Sequence, residues 1–179
     1  EVAVIRNMGT VSGVRTSGVY WDSWLSTSYE SYDTTVRQLD IVTPTYSKDS
    51  QTIDLSLTIQ YQIIPTEAAE IATKYGSLQR LENRIESVTL DKIKAVFSKY
   101  GAEDVINNRS TISSEITQAV ENAIKDDYYV TMNNIVLTNI DFTDDFEAAI
   151  AQKVAAQQAA LKAENEKQKA ITEAEAAEE

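Results

Sequence analysis

The stretch Thr52–Ile63, TIDLSLTIQYQI, decides the fold. Ile53, Leu55, Leu57, Ile59, Tyr61 and Ile63 alternate with Asp54, Ser56, Thr58, Gln60 and Gln62, and a period of two sends every large apolar side chain to one face of a β-strand. That face requires a core, whereas the other tolerates water. The preceding run YDTTVRQLDIVTPTY, residues 32–46, is rich in Val, Ile, Thr and Tyr, and SKDS, residues 47–50, has the composition of a hairpin turn. Two long antiparallel strands follow. Upstream, EVAVIRNMGTVSGVRTSGVYW, residues 1–21, is expected to supply a third and a fourth short strand, punctuated by Gly9, Gly13 and Gly18.

Downstream the period changes. Pro65 cannot donate to a ladder and closes the long strand; Thr66 is expected to cap a short helix over EAAEIATKY that stops at Gly76. Ser77 opens a longer helix with Leu78, Leu81, Ile85, Val88, Val96 and Phe97 on its apolar face. Ile112, Ile116, Ala119, Val120, Ala123 and Ile124 then form a single helical stripe that predicts a sheet beneath it. YYVTMNNIVLTNIDF, residues 128–142, returns to strand chemistry. Strands, then helices, then a strand rejoining the sheet make an α+β layout, a twisted antiparallel sheet with packed helices.

Thr143 or Asp144 begins a last helix, whose Asp144, Asp145 and Glu147 complement the positive N-terminal dipole. Running to the end of the chain, some 35 residues would reach roughly 50 Å at 1.5 Å per residue. Its Ala, Gln, Glu and Lys composition lacks a wide apolar stripe, so it is expected to project from the globular part. Ile150, Val154, Leu161 and Ile171 fall on one heptad-like seam, with Gln157, Glu164 and Gln168 between them. Such a seam is too weak to drive a tight two-stranded coil alone, but its many Ala residues allow close lateral approach of neighbouring helices.

Composition excludes much chemistry. Cysteine and histidine are both absent, which removes thiol nucleophiles, disulfides, His bases and zinc sites built on either residue. The 28 acidic residues against 16 basic ones, a net charge of -12, repel a phosphate backbone, so nucleic acid is not an expected partner. The acidic pairs Glu103–Asp104, Asp126–Asp127 and Asp144–Asp145 sit where caps and turns place solvated carboxylates. With no Gly-rich phosphate loop or nucleophile motif beside them, no catalytic, cofactor or metal residue is assigned and no enzyme is expected. No apolar run of about 18 residues is present to span a bilayer.

The order of these pieces resembles the SPFH or band 7 family of stomatins, prohibitins and flotillins, and prohibitin-type members most. The resemblance is carried by the turn and alternating strand ending in Pro65, by SKYGAEDVINNRSTISSEI, residues 98–116, and by LTNIDFTDDFEAAIAQKVAAQQ, residues 137–158. It implies an SPFH domain over 1–142, β-rich over 1–65 and α+β over 66–142, followed over 143–179 by the start of a long coiled-coil-type helix. It also implies a membrane-associated oligomeric scaffold that builds rings or cages and organises membrane microdomains or partner proteins such as membrane proteases. Its partners are then further copies or relatives and a membrane, reached through an N-terminal transmembrane anchor upstream of Glu1, in a bacterial cell membrane or the mitochondrial inner membrane. The present stretch is expected to be soluble. The alternative is a soluble adaptor whose exposed helix binds a partner helix.

GVYWDSWLS, residues 18–26, leaves two readings open. Trp is mostly buried on average, so core packing is the plain expectation. Relatives of this type bring loops of the first subdomain to the bilayer, and Trp favours the headgroup level, which makes Trp21, Trp24 and Leu25 candidate membrane-facing residues. Ile150, Val154, Leu161 and Ile171 are the candidate oligomer contacts.

Overall fold

A computed structural model describes residues 1–125 and 127–177, with side chains as far as Thr172; Asp126, half of one acidic pair, lies outside them. The chain divides into two compact units, Glu1–Asp141 and Phe142–Glu179. The first contains the antiparallel strands and packed helices that the sequence predicts, with the strands shared between two three-stranded sheets, ordered β2-β1-β3 and β4-β5-β6.

The alternating stretch is β5, Thr52–Ile63. All of its odd-numbered side chains from Ile53 to Ile63 are buried, while the even-numbered ones are exposed or half-buried. Antiparallel pairing with β4, Arg37–Tyr46, sets Ile41 opposite Leu57, Thr43 opposite Leu55 and Thr45 opposite Ile53. Because directly opposed residues share a face, the β4 residues extend the buried surface. On the other side of β5, Ile64 N–H donates to Tyr129 C=O at 3.1 Å, joining the end of β5 to the start of β6, Val130–Phe142.

The connecting helices cover this face. Pro65–Glu67 form one 3-10 turn before α1, Ala68–Lys74, and no side chain caps either element. The Thr66 cap expected from sequence is therefore absent, because Pro at the first position already sets the backbone for a turn. Gly76 ends the segment with φ +79°, the left-handed conformation that glycine adopts without a Cβ clash. Ser77 then caps α2, Leu78–Phe97, its hydroxyl accepting from Arg80 N–H. Leu81, Ile85, Thr89, Ile93, Val96 and Phe97 line the buried face of α2, which packs against β4 and against α4, Arg109–Ile124. The α4 stripe of Ile112, Ile116, Val120 and Ile124 is buried as expected, and α4 packs against α2 and α3, Ala102–Asn107. The β4–β5 turn fixes this layer in place: Asp49 accepts from Ala102 N–H at 3.0 Å, and Lys48 N–H donates to Tyr100 C=O at 2.8 Å.

The other sheet is built from β1, Val2–Asn7, β2, Thr10–Arg15, and β3, Thr27–Tyr32. Met8 and Gly9, both at positive φ, make the two-residue turn between β1 and β2. Val2, Val4 and Tyr32 are buried, and α1 packs against β1 and β2.

One polar arrangement recurs, a carboxylate shared between a cation and a tyrosine hydroxyl. Glu82 of α2 accepts from Arg37 of β4 at 3.1 Å and from Tyr61 of β5, joining three elements. Glu30 accepts from Arg6 at 3.1 Å and from Tyr32 at 3.2 Å, while Glu115 of α4 accepts from Lys99 and from Tyr100 at 2.6 Å. Burial first, then the neighbouring Glu30, pushes the Tyr32 phenol up to about 12; burial and Glu82 push Tyr61 up further.

These shifts predict alkaline destabilisation. Above pH 10 the unfolded chain's tyrosines ionise while Tyr32 and Tyr61 keep their protons in the native state. The native state then binds more protons than the unfolded state, so stability falls as pH rises through this range. Denaturant midpoints at pH 9 and pH 11 should show that fall, and Tyr32→Phe should reduce it; an undiminished fall in the variant would contradict the assignment.

Candidate membrane-facing loop and oligomer-contact helix

Residues 16–26 connect β2 to β3. The loop is anchored by its polar side chains. Asp22 accepts from both terminal nitrogens of Arg15, the Nη2 bond being 3.2 Å, and also from the Tyr29 hydroxyl. The Arg15 guanidinium lies 4.4 Å from the Tyr20 ring centroid, and the Tyr20 hydroxyl donates to Thr16 C=O at 3.2 Å. The bonds from Tyr29 and Arg15 hold the Asp22 carboxyl below the usual carboxylate range; the bond to Asp22 raises Arg15 and Tyr29. At the far end of the loop, Ser23 C=O accepts from Ser26 N–H at 3.2 Å and Thr27 N–H at 3.1 Å, and Met8 N–H donates to Ser26 C=O at 2.9 Å.

With the polar groups engaged in holding the loop, its apolar groups face outward. Trp21 is 97% exposed, Trp24 88% and Leu25 81%, with Val19 and Met8 similarly bare. The expectation that both tryptophans pack in the core is overturned. Asp22, the first of the two residues between the tryptophans, is held back to the sheet by Arg15 and Tyr29 while both indoles stay exposed. Sequence spacing gave no sign of this pairing, because Arg15 and Tyr29 belong to different strands.

Phe142 and Phe146 meet with ring centroids 5.2 Å apart, and Thr143 C=O accepts from Phe146 N–H at 2.9 Å and Glu147 N–H at 3.1 Å. These contacts start α5, Asp144–Ala177, a helix of 34 residues. From Ala151 to Thr172 every residue is exposed, Val154, Leu161 and Ile171 among them, and Ile150 is half-buried.

No group of acidic residues among the described residues is arranged to hold a metal ion. Glu103 and Asp104 lie in the first turn of α3, and Asp144 and Asp145 in the first turn of α5, positions where the helix dipole stabilises a carboxylate. No helix among the described residues is long and apolar enough to cross a membrane.

Because Trp21 and Trp24 have few neighbours to lose, replacing both with Ala should leave the unfolding free energy within about 0.5 kcal/mol of the parent. Removing a core Trp costs about 3–5 kcal/mol, so a loss of that size on chemical unfolding would show that the indoles are packed.

The SPFH domain / Band 7 family profile matches residues 1–178. Similar proteins include Prohibitin-2 of Gallus gallus, 30% identical over 135 residues, 74% of this chain and 44% of the relative. Prohibitin 1 of Drosophila melanogaster is 32% identical over 120 residues, 66% of this chain and 42% of the relative. Mitochondrial prohibitin complex protein 1 of Caenorhabditis elegans is 29% identical over 123 residues, 69% and 44% of the two chains. The chain thus spans less than half the length of the curated relatives that it matches. With the family profile matching from end to end, on a fold of two antiparallel sheets, packed helices and a long terminal helix, the chain belongs to the SPFH / Band 7 family.

Proposed function

We propose that this chain is the SPFH part of a membrane-associated scaffold whose subunits assemble side by side into a ring or cage. Trp21, Trp24 and Leu25 meet the bilayer at the headgroup level, and Ile150, Val154, Leu161 and Ile171 form the helical contact between subunits. The complete assembly organises a patch of membrane or membrane-protein partners, proteases among them, in a bacterial cell membrane or the mitochondrial inner membrane. The observation that supports this reading best is α5, exposed along its length from Ala151 to Thr172. An isolated helix draws little stability from propensity alone, and this one carries apolar side chains at seam spacing with nothing of its own unit over them.

The energetics favour assembly at a membrane. A pair of such helices buries few methylenes per turn, each contributing about 0.8 kcal/mol, and in dilute solution the association entropy outweighs that gain. An upstream anchor that holds subunits parallel removes most of the entropic cost and raises the local concentration. The net charge of -12 gives no general attraction to anionic lipid, so attachment rests on the anchor and the apolar loop. Membership of the family, and the name of the Caenorhabditis elegans relative, mitochondrial prohibitin complex protein 1, support the same reading.

Light scattering should find this chain at or near monomer mass, rising with concentration. The whole protein, taken from membrane in mild detergent, should sediment as one large species that Val154→Lys combined with Leu161→Lys breaks apart. A monomer in every mild detergent and in cross-linked membranes would end the scaffold reading and favour the soluble adaptor.

A further inference from the structure

The order β4-β5-β6 leaves β4 and β6 as the outer strands of their sheet, and the two are built differently. β4 carries Pro44 together with the charged Arg37 and Asp40, devices that keep an outer strand from taking on another, and α2 packs against it. β6 has neither guard. Its residues 130–140, VTMNNIVLTNI, hold no proline and no charge, in a chain where 25% of residues are charged, and their Val, Ile and Thr favour extended backbone. Thr131, Asn133, Asn134, Val136 and Thr138 are exposed. A shallow groove of about 160 Å³ runs between Thr117 and Glu121 of α4 and residues 132–135, so the helix layer leaves this part of the strand open.

The same stretch is complementary to itself. Turned about a two-fold axis that passes through Val136 perpendicular to the sheet, two copies of β6 run antiparallel. Val136 then meets Val136, Ile135 meets Leu137 and Met132 meets Ile140, while Asn134 meets Thr138 and Asn133 meets Asn139. Apolar side chains face apolar ones at every such pair, and the amides and hydroxyls face groups that can hydrogen-bond to them. Shifting the register by one residue loses the match, setting Asn134 against Leu137 in one direction and Asn133 against Ile140 in the other. Val136 is 43% exposed, and Ile135 and Leu137 are half-buried, so each copy has apolar surface left to cover at the axis.

We propose that the open edge of β6 pairs with the same strand of a second copy of this chain, antiparallel and centred on Val136, joining the two β4-β5-β6 sheets into one. This contact does not rest on the scaffold reading. A two-fold contact closes at two copies, whereas a side-by-side contact through α5 continues around a ring. One pair of strands is a small interface, so the association is weak and follows concentration. The lack of cysteine in the chain makes the register directly readable. Val136→Cys should give a disulfide-linked dimer on mild oxidation, because directly opposed residues have Cα atoms about 4.5 or 5.5 Å apart, within disulfide reach. Thr138→Cys alone should not, since its two copies would lie about 13 Å apart along the strands at roughly 3.3 Å per residue, yet it should link to Asn134→Cys when the two proteins are mixed. In light scattering the mass of this chain should level off at twice the monomer. Val136→Lys sets two like charges together at the axis and should weaken the association about ten-fold or more with an unchanged melt; Val154→Lys with Leu161→Lys should leave it intact. Equal linking of Val136→Cys and Thr138→Cys, no linking of Val136→Cys or of the mixed pair, or a dimer kept by Val136→Lys and lost in the helix variant would overturn the proposal. A whole protein that forms no large species in membrane would end the scaffold reading and leave this contact standing.

Discussion

The rest of the structure depends on the burial of one face of β5. From Ile53 to Ile63 every second side chain is excluded from water, and at about 1.5–3 kcal/mol for each large apolar side chain buried no other strand contributes as much. A slip of one residue would exchange this row for Asp54, Ser56, Thr58, Gln60 and Gln62. Register is therefore fixed, and with it the positions of β4, of the Asp49 turn that receives α3, and of the α2 surface carrying Glu82 to Arg37 and Tyr61.

A core completed by β4, β5, α2, α3 and α4 does not need the remaining apolar groups. The first sheet closes against α1, and its long β2–β3 loop is held by Arg15, Asp22 and Tyr29 while Trp21, Trp24 and Leu25 remain in water. The terminal helix begins on a Phe142–Phe146 contact, and from Ala151 to Thr172 every residue is exposed. Exposed large aromatic groups, and apolar side chains such as Val154 and Leu161 exposed along a helix, carry a hydration cost that contact with another surface removes. In the proposed assembly those surfaces are a bilayer and a neighbouring subunit.

The strongly periodic elements were legible in the sequence because each is governed by neighbours along the chain. The β5 alternation, the Ser77 cap, the Ile112–Ile124 stripe and the acidic start of α5 all appear where the pattern places them. β3 was missed because TSYESY has no alternation of apolar and polar residues, and its pairing with β1 supplies what its own pattern lacks. α3 is short, and Asp49 from a distant turn accepts the Ala102 N–H at its start. In α2 the sequence reading put Val88 on the apolar face, but Val88 is half-buried and the buried positions there are Thr89 and Ile93, because a polar Thr in the stripe hides its phase. At the candidate site the residue types stood out, but their exposure did not. It is decided by Asp22 reaching Arg15 and Tyr29 on different strands, which no local spacing encodes.

Native-state hydrogen exchange followed residue by residue tests this account most directly. Amides of β5, with strands on both sides, and of the buried face of α2 should exchange only through global unfolding, whereas those of the first sheet and of α5 beyond Ala151 should open at lower free energies. If β5 exchanged through openings well below the global unfolding free energy while the first sheet held the highest protection, the buried face of β5 would not be what organises the molecule.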